Sequence, residues 1–152
     1  MKALTIWQPW ATLIIAGAKP YEFRTWDYRT RAAELVDQRI VIHAGTRPIK
    51  RSEIQDLLQR LASGDSALKI DVARPIVERA LTSPGAFPLA AGLGTAVLAK
   101  PRRVTELFGR VADSDRDQHL WAWPLTDIQP IEPIQPCRGF QGFWNWPKDL
   151  AA

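Results

Sequence analysis

Residues 6–26 read Ile6-Trp7-Gln8-Pro9-Trp10-Ala11-Thr12-Leu13-Ile14-Ile15-Ala16-Gly17-Ala18-Lys19-Pro20-Tyr21-Glu22-Phe23-Arg24-Thr25-Trp26. The order of local signals here decides the fold. Ala3-Leu4-Thr5-Ile6 just upstream is a short strand-type run. It leads into Pro9, a residue suited to the first turn of a helix because its missing N–H has no intrahelical partner there. Trp10, Leu13, Ile14 and Ala18 recur at helical spacing, which predicts a helix from about Pro9 to Ala16. Gly17 stands where a left-handed cap ends such a helix. Strand, helix and glycine stop then deliver Lys19 into a loop. Lys19, Glu22 and Arg24 fall within six residues, and strand-like alternation places Glu22 and Arg24 on one side of the chain.

Outward from this stretch, Arg39-Ile40-Val41-Ile42-His43-Ala44 is a second β-rich run. Ile54, Leu57, Leu58 and Leu61 mark one face of a helix ending near Gly64, with Ser52 and Gln55 spaced as a capping box. Thr82 to Gly92 lacks periodicity and is rich in Pro, Gly and Ala, so a loop is expected there, as a flexible surface insertion rather than a lid. Gly94 to Lys100 reads as a strand, Val104 to Phe108 as a short helix and Leu120 to Leu125 as another strand. The last thirty residues carry Pro130, Pro133, Pro136 and Pro147. Extended chain with edge strands at most is expected, wrapping a barrel rather than forming its middle.

At 152 residues and 46% hydrophobic composition, the chain suits one domain, residues 1–152, with a core of its own. A net charge of +4 and a pI near 9.6 favour a polyanionic partner. The lone Cys137 forms no internal disulfide and reads as a structural thiol, and no signal segment opens the chain, so a cytoplasmic setting is expected. The longest apolar runs fall far short of the roughly 20 residues that cross a bilayer, so no membrane role is expected. His43, His119 and Cys137 match no metal-ligand spacing. Neither a structural metal nor a cofactor is expected. The seven tryptophans are first packing residues, and some are platforms on which bases stack.

Taken in order, the segment from Ile6 to Trp26, the run Ile42-His43-Ala44, the segment Trp121-Ala122-Trp123-Pro124-Leu125 and the closing Pro136-Cys137-Arg138-Gly139-Phe140-Gln141-Gly142-Phe143-Trp144 resemble the ASCH family. That family shows a strand, a helix, a Gly-x-Lys-x-x-Glu-x-Arg segment, a strand ending in His-Ala and a Pro-x-x-Cys-x-Gly-x-x-Gly-x-Trp close. The resemblance implies an α+β, β-rich fold, a PUA-like β pseudo-barrel with peripheral helices. It covers nearly the whole chain, and residues 50–92 are expected to be a member-specific helix and loop insertion.

The resemblance also implies a cleft that binds RNA, single-stranded by preference, or a nucleotide derivative, with DNA as a further ligand. Lys19 supplies a mobile charge for phosphate, Arg24 a planar fork and Glu22 an acceptor for exocyclic amino groups. Trp7, Gln8, Trp10, His43, Arg138, Gln141 and Trp144 are the other candidate contacts. Arg29 and Arg31 match no motif and read as surface or backbone-contacting charges. If the protein is an enzyme, Lys19 and Glu22 are the catalytic candidates, with His43 beside them. One branch of the family resembles amidohydrolases of acylated cytidine derivatives, in which a threonine follows the lysine by three residues. Glu22 occupies that place here, which argues against a threonine nucleophile but leaves a Lys–Glu pair able to activate water. Ribonuclease activity would pair His43 with His119 as base and acid. A module that binds another protein is the remaining alternative. Oligomeric state is not fixed by the sequence.

Overall fold

The structure is a computed structural model that describes residues 1–108 and 120–152. In chain order the elements are β1 (Lys2–Ile6), α1 (Trp10–Ile15), β2 (Tyr21–Arg24), α2 (Tyr28–Arg31), β3 (Gln38–Ala44), α3 (Arg51–Ser63), α4 (Ile70–Thr82), β4 (Ala91–Leu98), β5 (Arg102–Arg103), α5 (Val104–Phe108), β6 (Trp121–Pro136) and β7 (Phe143–Asn145). Among the described residues they form one mixed sheet in the order β2-β6-β4-β3-β1-β7, with β5 also pairing β6. β1 and β3 run parallel and the remaining pairs antiparallel.

Alternation along β1 and β3 explains how both faces of the sheet are covered. Leu4, Ile6, Ile40 and Ile42 enter one core with Leu98, Trp123 and Leu125. Ala3 and Val41 enter another beneath Trp144 and Trp146 of the C-terminal segment. The two end strands of the sheet meet through side chains. Trp26, just beyond β2, packs edge-on against Phe143 of β7 with ring centroids 6.2 Å apart, and both rest on Trp123 of β6 at 6.0 and 6.1 Å. The sheet therefore curls into a pseudo-barrel whose seam is sealed by aromatic rings, each such pair worth about 0.5–1.5 kcal/mol beyond its buried area.

α1 joins the barrel to the helices. Ala11 and Ile14 pack into the barrel core, and Leu13 packs with Ile54, Leu57 and Leu61 of α3 and Ala73 and Val77 of α4. Gly17 adopts φ 77° as expected, and the amides of Ala18 and Lys19 donate back to the Leu13 carbonyl at 2.9 and 3.1 Å. This cap turns the chain sharply into β2.

Several expectations are corrected. α3 begins at Arg51 with Lys50 as its cap and no side-chain capping bond, so Ser52 lies inside the helix and the Ser52–Gln55 box does not form. α4 was not foreseen, because Pro75 lies within it and its buried face is built largely from the small residues Ala73 and Ala80. Thr82 ends α4, and β4 already begins at Ala91. The connection between them is anchored by a buried Phe87 and by the Pro88 carbonyl, which accepts from Gln8. A flexible insertion does not describe it. β6 spans sixteen residues; its first four pair with β2, and Trp121 and Ala122 are flanked by β5 as well, rather than lying at an edge. From Leu125 onward β4 is the only strand whose ladder it joins among the described residues. Pro130, Pro133 and Pro136 fall in that half, where a missing N–H is tolerated. His119 lies outside the described residues.

Candidate functional site

β2 sets the geometry around Glu22. In its antiparallel register with β6, Glu22 lies opposite Trp123 and Arg24 opposite Trp121. Opposed residues project to the same face, so the carboxylate points toward the end of the barrel core, and Glu22 and Lys19 are each only 7% exposed. Such a charge is tolerated only when paired. Lys19 Nζ donates to Glu22 Oε2 at 2.5 Å and to the Tyr21 carbonyl at 2.6 Å. Arg24 Nη1 donates to Glu22 Oε1 at 2.5 Å and to the Phe23 carbonyl at 3.2 Å. One carboxylate is thus clamped by two cations, as the alternation of Glu22 and Arg24 predicts. The Arg24 side chain is the most open of the three at 28% exposure.

Beside this clamp is a basic and aromatic rim that the sequence reading missed. Trp121 carries the Arg103 guanidinium 4.2 Å and the Arg29 guanidinium 5.6 Å from its ring centroid, and Tyr28 meets it edge-on at 5.1 Å. Asp27 caps α2 and holds Arg29 through both carboxylate oxygens, and these hydrogen bonds draw its pKa down to about 2. The only signal available beforehand was the proximity of Trp26, Tyr28 and Arg29 to the Gly-x-Lys segment. Trp121 stands in the family-like segment Trp121–Leu125, but nothing local joins it or Arg103 to the Gly-x-Lys segment.

His43 belongs to a different neighbourhood. It sits at a register shift between β3 and β4, fully buried on the outer face of the barrel. Thr5 Oγ1 accepts from the Trp144 indole N–H at 3.0 Å and lies 3.2 Å from His43 Nδ1, to which the hydroxyl donates when the ring is neutral. His43 Nε2–H then donates to the Cys137 carbonyl at 2.8 Å. The carbonyl partner fixes a proton on Nε2, and burial lowers the ring's pKa and so favours the neutral imidazole. Gly139 closes over the ring: a Cβ there would lie 2.3 Å from His43 Cε1 and 2.7 Å from Thr5 Oγ1. Close approach, rather than a turn, requires that glycine.

The other sequence candidates separate accordingly. Gln8 is buried, with Nε2 donating to the Pro88 carbonyl and Oε1 accepting from both the amide and the hydroxyl of Thr12. Trp144 is buried with its N–H engaged, and Trp10 packs between the barrel and helical cores. Gln8, His43 and Trp144 are thus buried against partners distant in sequence rather than exposed at the surface. Arg138 and Gln141 are exposed on the loop before β7, and Trp7 is exposed at the start of α1. No hydrogen bond or ion pair among the described residues joins these to the Lys19–Glu22–Arg24 clamp. Cys137 is half-buried, and burial raises its thiol pKa.

Among the described residues, no helix is long and apolar enough to cross a membrane. Comparison with curated proteins gave no match. Similar solved structures include the ASCH protein of Zymomonas mobilis, 20% identical, with 97% of this chain and 88% of that one covered and a TM-score of 0.48. Two single-substitution variants of that protein match over 97% of this chain and 90% and 88% of theirs, at 20% and 21% identity and TM-scores of 0.49 and 0.47. The ASCH domain model matches residues 4–83, from β1 through α4 and over more than half of the 152 residues. The chain belongs to the ASCH domain family.

Proposed function

We propose that the protein binds single-stranded RNA, or a nucleotide derivative, where β2 meets the start of β6. The observation that carries this reading is the buried Glu22 clamped by Lys19 and Arg24 beside Trp121 and its two guanidiniums. The clamp leaves a third Lys19 proton, the Nε and Nη2 protons of Arg24 and further carboxylate lone pairs for a ligand. Phosphate would go to the cations and an exocyclic amine to Glu22, while the buried Trp121 holds the Arg103 and Arg29 guanidiniums beside them. Single-stranded DNA shares most of this chemistry, and the 2′-hydroxyl is what separates the two. A reducing, cytoplasmic setting accords with the single Cys137.

A second reading is favoured by the Lys19–Glu22 contact of 2.5 Å. The pair can hand a proton between a water and a leaving amine, the chemistry that hydrolysis of an acylated cytidine-type nucleoside needs. A ribonuclease mechanism through His43 draws no support, since both ring nitrogens are engaged in the core. The test is a tryptophan-fluorescence titration with short single-stranded RNA and DNA at low and moderate salt, comparing wild type with Lys19→Ala and Arg24→Ala and checking the RNA for cleavage afterwards. Salt-sensitive quenching weakened by both substitutions supports binding at the clamp. Absence of any response at low salt overturns polymer binding, and release of acid from acylated cytidine becomes the deciding assay.

A further inference from the structure

Trp7 lies away from the clamp and is 53% exposed, yet it is held in place. The Arg47 guanidinium stacks on its ring with Cζ 3.7 Å from the centroid. That guanidinium is fixed by a two-pronged ion pair with Glu53 of α3, at 3.0 and 2.7 Å. Below, Gly45 closes on the indole edge: a Cβ there would lie 3.3 Å from Trp7 Cδ1 and 3.2 Å from Thr5 Cγ2. An indole so braced keeps a broad surface open to solvent and loses little freedom when something flat settles on it.

Beside the Arg47–Glu53 pair, which cancels in charge, stand further cations. Lys50 and Arg51, which follow Arg47 closely, are exposed and have no carboxylate partner among the described residues. Across Thr5, Gly139 brings the loop before β7 to the same face. There Arg138 sits 5.7 Å from the ring of Phe140, itself 55% exposed. Two exposed aromatic rings, each accompanied by a guanidinium, with Lys50 and Arg51 following Arg47, suit bases on a phosphate backbone.

We infer that Trp7, braced by Arg47, is a second base-stacking platform, with Lys50 and Arg51 contacting the phosphates of a single-stranded nucleic acid. This extends the binding reading from one nucleotide at the clamp to a strand with two separate points of attachment, and it rests on that reading only for the identity of the polymer.

The test uses the full chain and fluorescein-labelled single strands about ten nucleotides long, a span one small domain covers, in RNA and DNA forms, alongside a mononucleotide. Trp7→Leu is expected to weaken the strand by about tenfold or more and to leave mononucleotide affinity unchanged, while Trp7→Tyr restores most of the loss. Lys50→Glu with Arg51→Glu is expected to weaken the strand and flatten its salt dependence. Equal loss for RNA and DNA marks stacking and phosphate contact alone, and loss confined to RNA adds recognition of the sugar. Unchanged strand affinity in both Trp7→Leu and the double charge reversal overturns the platform, whatever Lys19→Ala does. A response to Trp7→Leu without one to Lys19→Ala keeps the platform and removes the clamp.

Discussion

Replacing Glu22 by Gln keeps the shape of the side chain and removes its charge. In the native protein the carboxylate meets Lys19 Nζ and Arg24 Nη1 at 2.5 Å each, with Lys19 and Glu22 side chains 9% exposed and Arg24 28% exposed. Removing one partner from a buried ion pair costs about 3–5 kcal/mol, because the other charge is left without compensation. Three features of this site reduce the figure: Gln retains one carbonyl acceptor, Lys19 keeps the Tyr21 carbonyl and Arg24 is open enough to be solvated. A loss of about 2–3 kcal/mol follows, which for a urea slope of about 2 kcal/mol/M lowers the unfolding midpoint by roughly 1 M. Lys19→Met in the same chain removes the stranded charge, so the double variant is expected to recover most of the loss, giving a coupling of about 1–3 kcal/mol. Urea unfolding of the wild type, both single variants and the double variant completes the cycle. A Glu22→Gln change below about 0.5 kcal/mol, or strict additivity, would refute the reading of the clamp as a buried, mutually dependent unit.

Two further outcomes follow from the outer face of the barrel. His43 has a lowered pKa through burial, so the unfolded chain, titrating near 6.5, takes up the proton first. The stability that the neutral ring contributes is complete above about pH 6.5 and is lost as pH falls toward its folded value, with a slope approaching 1.4 kcal/mol per pH unit. Urea unfolding from pH 7 to 5 should show this slope in the wild type and not in His43→Gln. Gly139→Ala drives a methyl into His43 and Thr5 and is expected to cost about 1–3 kcal/mol. Gly142→Ala meets open space at φ 70° and should cost only about 1 kcal/mol through the backbone; equal thermal shifts for the two would contradict the close-approach argument.

The elements legible in the sequence are those whose signals are local. β1, the Gly17 cap, β3 and the apolar face of α3 are read from spacing within a few residues, and each is observed. α4 was missed because Pro75 lowers any helical reading and small Ala73 and Ala80 dilute its face, although Ile76, Val77 and Leu81 recur with them at helical spacing and pack on the helical core. β6 was half legible. Its prolines announce an edge, which fits the stretch from Leu125 onward where β4 is the one strand paired, but no local pattern says that Trp121 and Ala122 lie between two other strands.

The candidate site divides along the same line. Alternation alone places Glu22 and Arg24 together, whereas the closure of Gln8, His43 and Trp144 depends on Pro88, Cys137 and Thr5, all far away in the chain. A family motif marks polar side chains held in a fixed place, and two causes hold them so: a ligand or a buried hydrogen bond. Unused bonding capacity separates the two. His43 has both nitrogens engaged and Trp144 its one N–H, while Gln8 keeps a single amide proton within a fully buried side chain. Such residues can accept a ligand only by breaking the core. Lys19, Glu22 and Arg24 keep donors and lone pairs beyond those that bind them to one another. Lys19, Glu22 and Arg24 are thus the motif residues that keep bonding capacity open, while the His-Ala and closing Gly-x-Trp segments pack into the barrel against which the clamp is built.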